Sequence, residues 1–176
     1  QILLDLSSSM YFPAGVSAEG DEMNKLKFSI YGAAALIELF KRQRDAVGLT
    51  TFSDTIDLHT VARSSAAHHR YLYNELETRL DHIDTSKGKK TFAAEALHEV
   101  AENIHKRSLV VIFSDMMDSS ENADKVFQAM QHLRHNKHEV VVFHVVDKSK
   151  ELEFDYSNRP YTFVDMESGE EVKVNP

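Results

Sequence analysis

The sequence contains no cysteine, so disulfides, zinc-thiolate centres and a catalytic thiol are excluded. That absence fits a reducing compartment, and a cytoplasmic location is expected. A basic surplus is also missing: 28 acidic residues stand against 20 basic ones, a net charge of -8, and no Lys/Arg stripe offsets it. Such a balance repels a phosphate backbone, so nucleic acid is not expected as a partner. No apolar run approaches the roughly 20 residues that span a bilayer, and no basic, apolar, small-residue opening resembles a signal peptide; no membrane association is expected of this stretch. Internal repeats and low-complexity tracts are absent as well.

What is present suits one folded domain. The 176 residues are 42% hydrophobic and 27% charged, enough to bury a core without disulfides or a structural metal. Gln1 leads at once into Ile2, Leu3 and Leu4, which reads as a buried strand with no lead-in, so the chain is expected to be cut from something longer. The first strand ends at Asp5, and the polar stretch from Ser7 to Glu22 is a long loop. From Met23 to Arg44 the apolar residues Met23, Leu26, Ile30, Ala33, Ile37 and Phe40 recur at helical spacing. Residues 46–52 form a second strand and 55–62 an edge-like third, turning at Ser53-Asp54. Helices are expected at about 65–83 and 92–106, separated by a polar loop at 84–90.

Leu109 to Phe113 gives the strongest core-strand signal, with Ser114, Asp115 and Asp118 where that strand would leave the sheet. A helix capped by Ser119 or Ser120 and running to about Arg134 is followed by an apolar run at 139–146, read as another buried strand. The runs at 161–164 and 171–174, around Ser168-Gly169, make a terminal hairpin. Residues 1–150 thus form the main domain and 151–176 a C-terminal extension packed on or near it. Strands alternating with helices predict a doubly wound, mostly parallel α/β sheet with helices on both faces. Ligands of such sheets bind beyond the carboxyl ends of the strands, where Asp5 and Asp115 fall.

Asp5-Leu6-Ser7-Ser8-Ser9 places a carboxylate and two alternate hydroxyls on one turning loop. All are hard oxygen donors of the kind Mg²⁺ and Mn²⁺ favour, and Mg²⁺ keeps waters or accepts a ligand's oxygen rather than being caged by protein. On this motif, together with Thr91 and Asp115 on two later loops, the sequence resembles the von Willebrand factor A domain with its metal-ion-dependent adhesion site. More narrowly it resembles the bacterial branch encoded beside MoxR-type AAA+ ATPases, through D-A-V-G-L-T-T-F at 45–52, R-S-L-V-V-I-F-S-D-M-M-D at 107–118 and F-V-D-M-E-S-G-E-E-V at 163–172. Where many A domains carry Gly-Gly before the metal-binding Thr, this chain has Gly88-Lys89-Lys90-Thr91.

The resemblance implies a Rossmann-like, six-stranded sheet in the order 3-2-1-4-5-6, with the short second β run antiparallel at one edge. It implies a divalent cation, Mg²⁺ first with Mn²⁺ or Ca²⁺ as alternatives, held by the hydroxyls of Ser7, Ser9 and Thr91 and, directly or through water, by Asp5 and Asp115. It also implies a protein partner that adds a carboxylate to the metal: a MoxR-type AAA+ ATPase or a client it assembles or matures. Adhesion rather than catalysis is expected.

Other readings compete. An Asp ending the first strand could be the nucleophile of a haloacid-dehalogenase-like phosphohydrolase, but those enzymes use Asp-x-Asp and position 7 is Ser. A Ser-His-Asp hydrolase would want glycines around its Ser, which Ser7 and Ser9 lack, and Gly88-Lys89-Lys90-Thr91 lacks the upstream glycine and preceding strand of a phosphate loop. His132, His135 and His138 suggest a second metal site, against which a helix carboxyl end ordinarily carries such residues; His68 and His69 read as solvated helix surface. Asp118 reads as a cap rather than a ligand, and Met116 and Met117 as partner contacts or core. A scaffold whose site stays free of metal is the structural alternative.

Overall fold

The computed structural model describes residues 1–83, 93–116, 123–166 and 169–174. Among these residues five strands form the main sheet: β1 (Ile2–Asp5), β2 (Leu49–Phe52), β3 (Ile56–His59), β4 (Leu109–Ser114) and β5 (Glu139–His144). Their spatial order is β3-β2-β1-β4-β5, with β2, β1, β4 and β5 parallel and β3 antiparallel at one edge. The expected antiparallel edge run is therefore in place. The expected sixth strand is not found among the described residues, but the expected terminal hairpin is in place: Tyr161–Val164 (β6) pairs antiparallel with Glu171–Val174 (β7) in a separate two-stranded sheet.

Among the described residues four α-helices accompany the sheet: α1 (Lys25–Gln43), α2 (Ala66–Asp81), α3 (Ala93–Asn103) and α4 (Ala123–His135). Alternation along the strands sends side chains to opposite faces. Ile2, Leu4, Leu49, Val111 and Phe113 pack with α1 and α2, while Leu3, Phe52, Val110 and Ile112 pack with α3 and α4. A strand buried on both faces has no room for polar alternation, which is why β1 reads as an unbroken apolar run. Among the described helices, none is long and apolar enough to cross a membrane.

Helix α1 sits close on the sheet because Gly32 has no side chain; a Cβ there would lie 2.8 Å from the Phe113 ring. Phe113 in turn stacks on Phe143 of β5, ring centres 4.7 Å apart. The reading of 139–146 as a buried strand needs correction. Strand β5 is the edge of the sheet: Val140 and Val142 pack towards α3 and α4, but Val141 and Phe143 on the other face are each more than 40% exposed. An apolar run signals burial on two faces only when helices cover both.

The histidines also differ from expectation. His69 is buried rather than solvated, and Nε2 of half-buried His68 lies 2.9 Å from the Val47 carbonyl oxygen. His132 meets His98 across α3 and α4, Nδ1 to Nδ1 3.1 Å, whereas Nδ1 of His138 accepts from the Ser108 amide. After β5, Asp147 accepts from the Lys150 amide to start a π-helical turn, Lys148–Leu152. The β6–β7 hairpin carries Tyr161 and Phe163, each 5.1 Å from the Tyr156 ring.

Candidate functional site

Asp5 ends β1 and Asp115 follows β4, and these two strands are parallel neighbours with Leu4 level with Phe113. The pairing therefore brings both acids to one carboxyl edge of the sheet. Both are buried, Asp5 at 0% and Asp115 at 1% exposure. The Ser114 hydroxyl donates to Asp5 Oδ2 at 2.6 Å, and the Ser7 amide donates to Asp5 Oδ1 at 2.9 Å. Burial is the largest influence on Asp5 and pushes its carboxyl up to about 6. The Ser114 and Ser7 hydrogen bonds oppose that rise, and the nearby Asp115 charge adds to it.

Beyond Asp5 the backbone turns at once. A single 3-10 turn, Ser8–Tyr11, is entered from extended Ser7, and the Met10 amide closes onto the Ser7 carbonyl. That turn brings the hydroxyls of Ser7 and Ser9 within 3.1 Å of each other. At the end of β4, Met116 adopts φ 52, a left-handed conformation uncommon for a residue with a side chain, and its amide donates to the Ser114 hydroxyl. The half-buried Met116 side chain packs against the core cluster beneath α3 and α4.

Four of the five expected ligands, Asp5, Ser7, Ser9 and Asp115, lie at this edge. Thr91 lies outside the described residues, as do Asp118, Met117 and the 84–90 loop. Among the described residues no group of three or more His, Cys, Asp or Glu side chains is placed to hold a metal, so a cation at this edge would rely on hydroxyl donors alongside the two carboxylates. A cleft of about 490 Å³ bordered by Gln1, Val47, His59 and Leu109 opens at the amino ends of β1 and β4, the opposite edge from these acids.

Sequence reasoning missed the cation already present. The Lys25 ammonium lies 2.7 Å from Asp115 Oδ2 and 2.6 Å from Glu151 Oε1 in the π-helical turn. Its side chain is 2% exposed, and the Phe12 ring centre is 5.7 Å away. Asn24 caps α1 by accepting from the Lys27 amide and so fixes where Lys25 enters. Lys27 is buried too, its ammonium donating to the carbonyls of Ser17, Gly20 and Glu22 at 3.0, 2.5 and 3.2 Å, which organises the loop before α1. A signal was available: α1 has two lysines and no acid in its first turn, where the helix dipole disfavours positive charge.

Fold and site together define a doubly wound α/β domain whose carboxyl edge gathers two buried acids, paired hydroxyls and an ion-paired lysine. Over residues 1–176 the chain matches the family described as Protein of unknown function DUF58, and it belongs to that family. No curated protein matches it.

Proposed function

We propose that this domain binds a protein partner through a divalent cation, Mg²⁺ by preference, at the Asp5–Asp115 edge. The observation that carries the reading is the convergence of Asp5, Ser7, Ser9 and Asp115 from two chain segments. The donor chemistry fits: all four offer oxygen, and Asp5 is a fully buried carboxylate whose charge is penalised where it stands. Asp5 and Asp115 would supply the negative charge, Ser7 and Ser9 neutral hydroxyls, and Thr91 a further hydroxyl. When bound, the cation supplies an open position that a partner's carboxylate can fill. The 3-10 turn holds the two serines beside each other before any ligand arrives, which lowers the ordering cost of binding.

Resemblance to A domains encoded beside MoxR-type AAA+ ATPases makes such an ATPase, or a client it matures, the partner of choice. Adhesion is favoured over a phosphohydrolase because position 7 offers Ser where that chemistry needs a second acid. The Lys25–Asp115 pair favours a second reading, a scaffold in which the lysine replaces the metal permanently. The test is capture of a MoxR-type ATPase in Mg²⁺, in chelator, and with Ser9→Ala. Capture lost in both latter cases supports adhesion; capture unchanged in both supports the scaffold.

A further inference from the structure

We propose that the Lys25 ammonium is a built-in competitor of the divalent cation, so that metal uptake breaks the Lys25–Asp115 and Lys25–Glu151 pairs and releases the 148–152 turn. This rests on the metal-binding reading above and names the residue that sets its affinity.

A lysine at the first position of a helix would ordinarily point its charge to water, since the dipole there is positive. Lys25 is instead drawn inwards, and its ammonium donates to one carboxylate at the strand edge and another on the π-helical turn. Asp115 is buried and Glu151 only partly exposed, so the lysine compensates charge that water does not reach well. The expected metal and this ammonium therefore need the same carboxylate. A dication held by Asp5 and Asp115 would place like charge beside Lys25 in a site of low dielectric, and the two cannot share it without a large penalty. Displacing Lys25 also frees Glu151, whose second oxygen accepts from the Asp147 amide at the start of the turn. Metal occupancy and the position of the 148–152 turn are thereby coupled, as two ligands of one group must be.

The experiment titrates the chain and Lys25→Met with Mn²⁺ by calorimetry, with circular dichroism to check folding, and follows acetylation of Lys25 in the wild type by mass spectrometry with and without Mn²⁺. Lys25→Met is expected to bind at least about tenfold more tightly, because the dication then meets no competing ammonium at Asp115. Lys25, 3% exposed in the paired arrangement, is expected to become reactive as the metal saturates. Equal or weaker binding by a folded Lys25→Met overturns the proposal, as does a wild type that binds Mn²⁺ with Lys25 still protected; either result leaves metal-dependent adhesion standing. Binding by Lys25→Met but not by the wild type supports the competition and removes adhesion by the free site. Binding by neither overturns both.

Discussion

Asp5 is fully buried with a hydrogen bond on each oxygen, yet burial still outweighs them and its carboxyl titrates near 6 rather than near 3.8. A raised acid means that the fold prefers the protonated form. The associated stability is full below about 3.8 and is lost as pH rises through about 6. At 1.36 kcal/mol per unit the loss is at most about 3 kcal/mol. Asp5→Asn, which cannot ionise, is therefore expected to match the metal-free wild type near pH 4 and to exceed it by about 1–3 kcal/mol at pH 8. Urea melts at the two pH values check this; a difference independent of pH would show that Asp5 is not penalised. At this scale the sequence was informative about acids and silent about their cation. Asp5 and Asp115 are legible because a carboxylate that ends an apolar run has nowhere to go but the sheet edge. Lys25 was not, because an exposed and a buried lysine have the same letter and only the dipole mismatch distinguishes them.

At the scale of elements, the entry of α1 matters most, since it places Lys25. Asn24→Ala removes the side chain that accepts from the Lys27 amide and is expected to lower stability by about 1 kcal/mol, read from denaturant midpoints. A change below experimental error would mean that the buried lysines fix the helix start without the cap. Gly32 poses the opposite problem. Alanine gains about 1 kcal/mol of helix propensity over glycine, but crowding a packed ring costs about 1–3 kcal/mol. With Phe113 confined between Gly32 and Phe143, the crowding wins, and Gly32→Ala is expected to destabilise by about 1 kcal/mol. A gain in stability would show that the Phe113 ring can shift aside. The periodicity of α1 and the apolar runs of β1 and β4 made these elements legible. The exposed face of β5 was not, because burial of its outer side depends on which helix lies opposite, a property of topology rather than of the run itself.

For the molecule as a whole, the doubly wound architecture followed from alternation of strands and helices and the edge position of 55–62 from its weaker patterning, while the antiparallel direction of that run came from the resemblance. A sixth strand came only from the resemblance and is not found among the described residues, whereas the terminal hairpin read from the runs at 161–164 and 171–174 is the β6–β7 pair. Two parallel neighbours, β1 and β4, carry the acids to one edge, so the site is a consequence of strand order and not of proximity in sequence. Function follows if that edge takes a cation. The most direct measurement is calorimetric titration of the metal-stripped chain with Mg²⁺ and Mn²⁺, beside Ser9→Ala, whose loss of one hydroxyl leaves the core intact. Saturable binding at one site, weakened at least about tenfold in Ser9→Ala with an unchanged melting temperature, is the expected result. Equal affinity in both chains, or no binding by the wild type, would contradict a cation held at the Asp5–Asp115 edge.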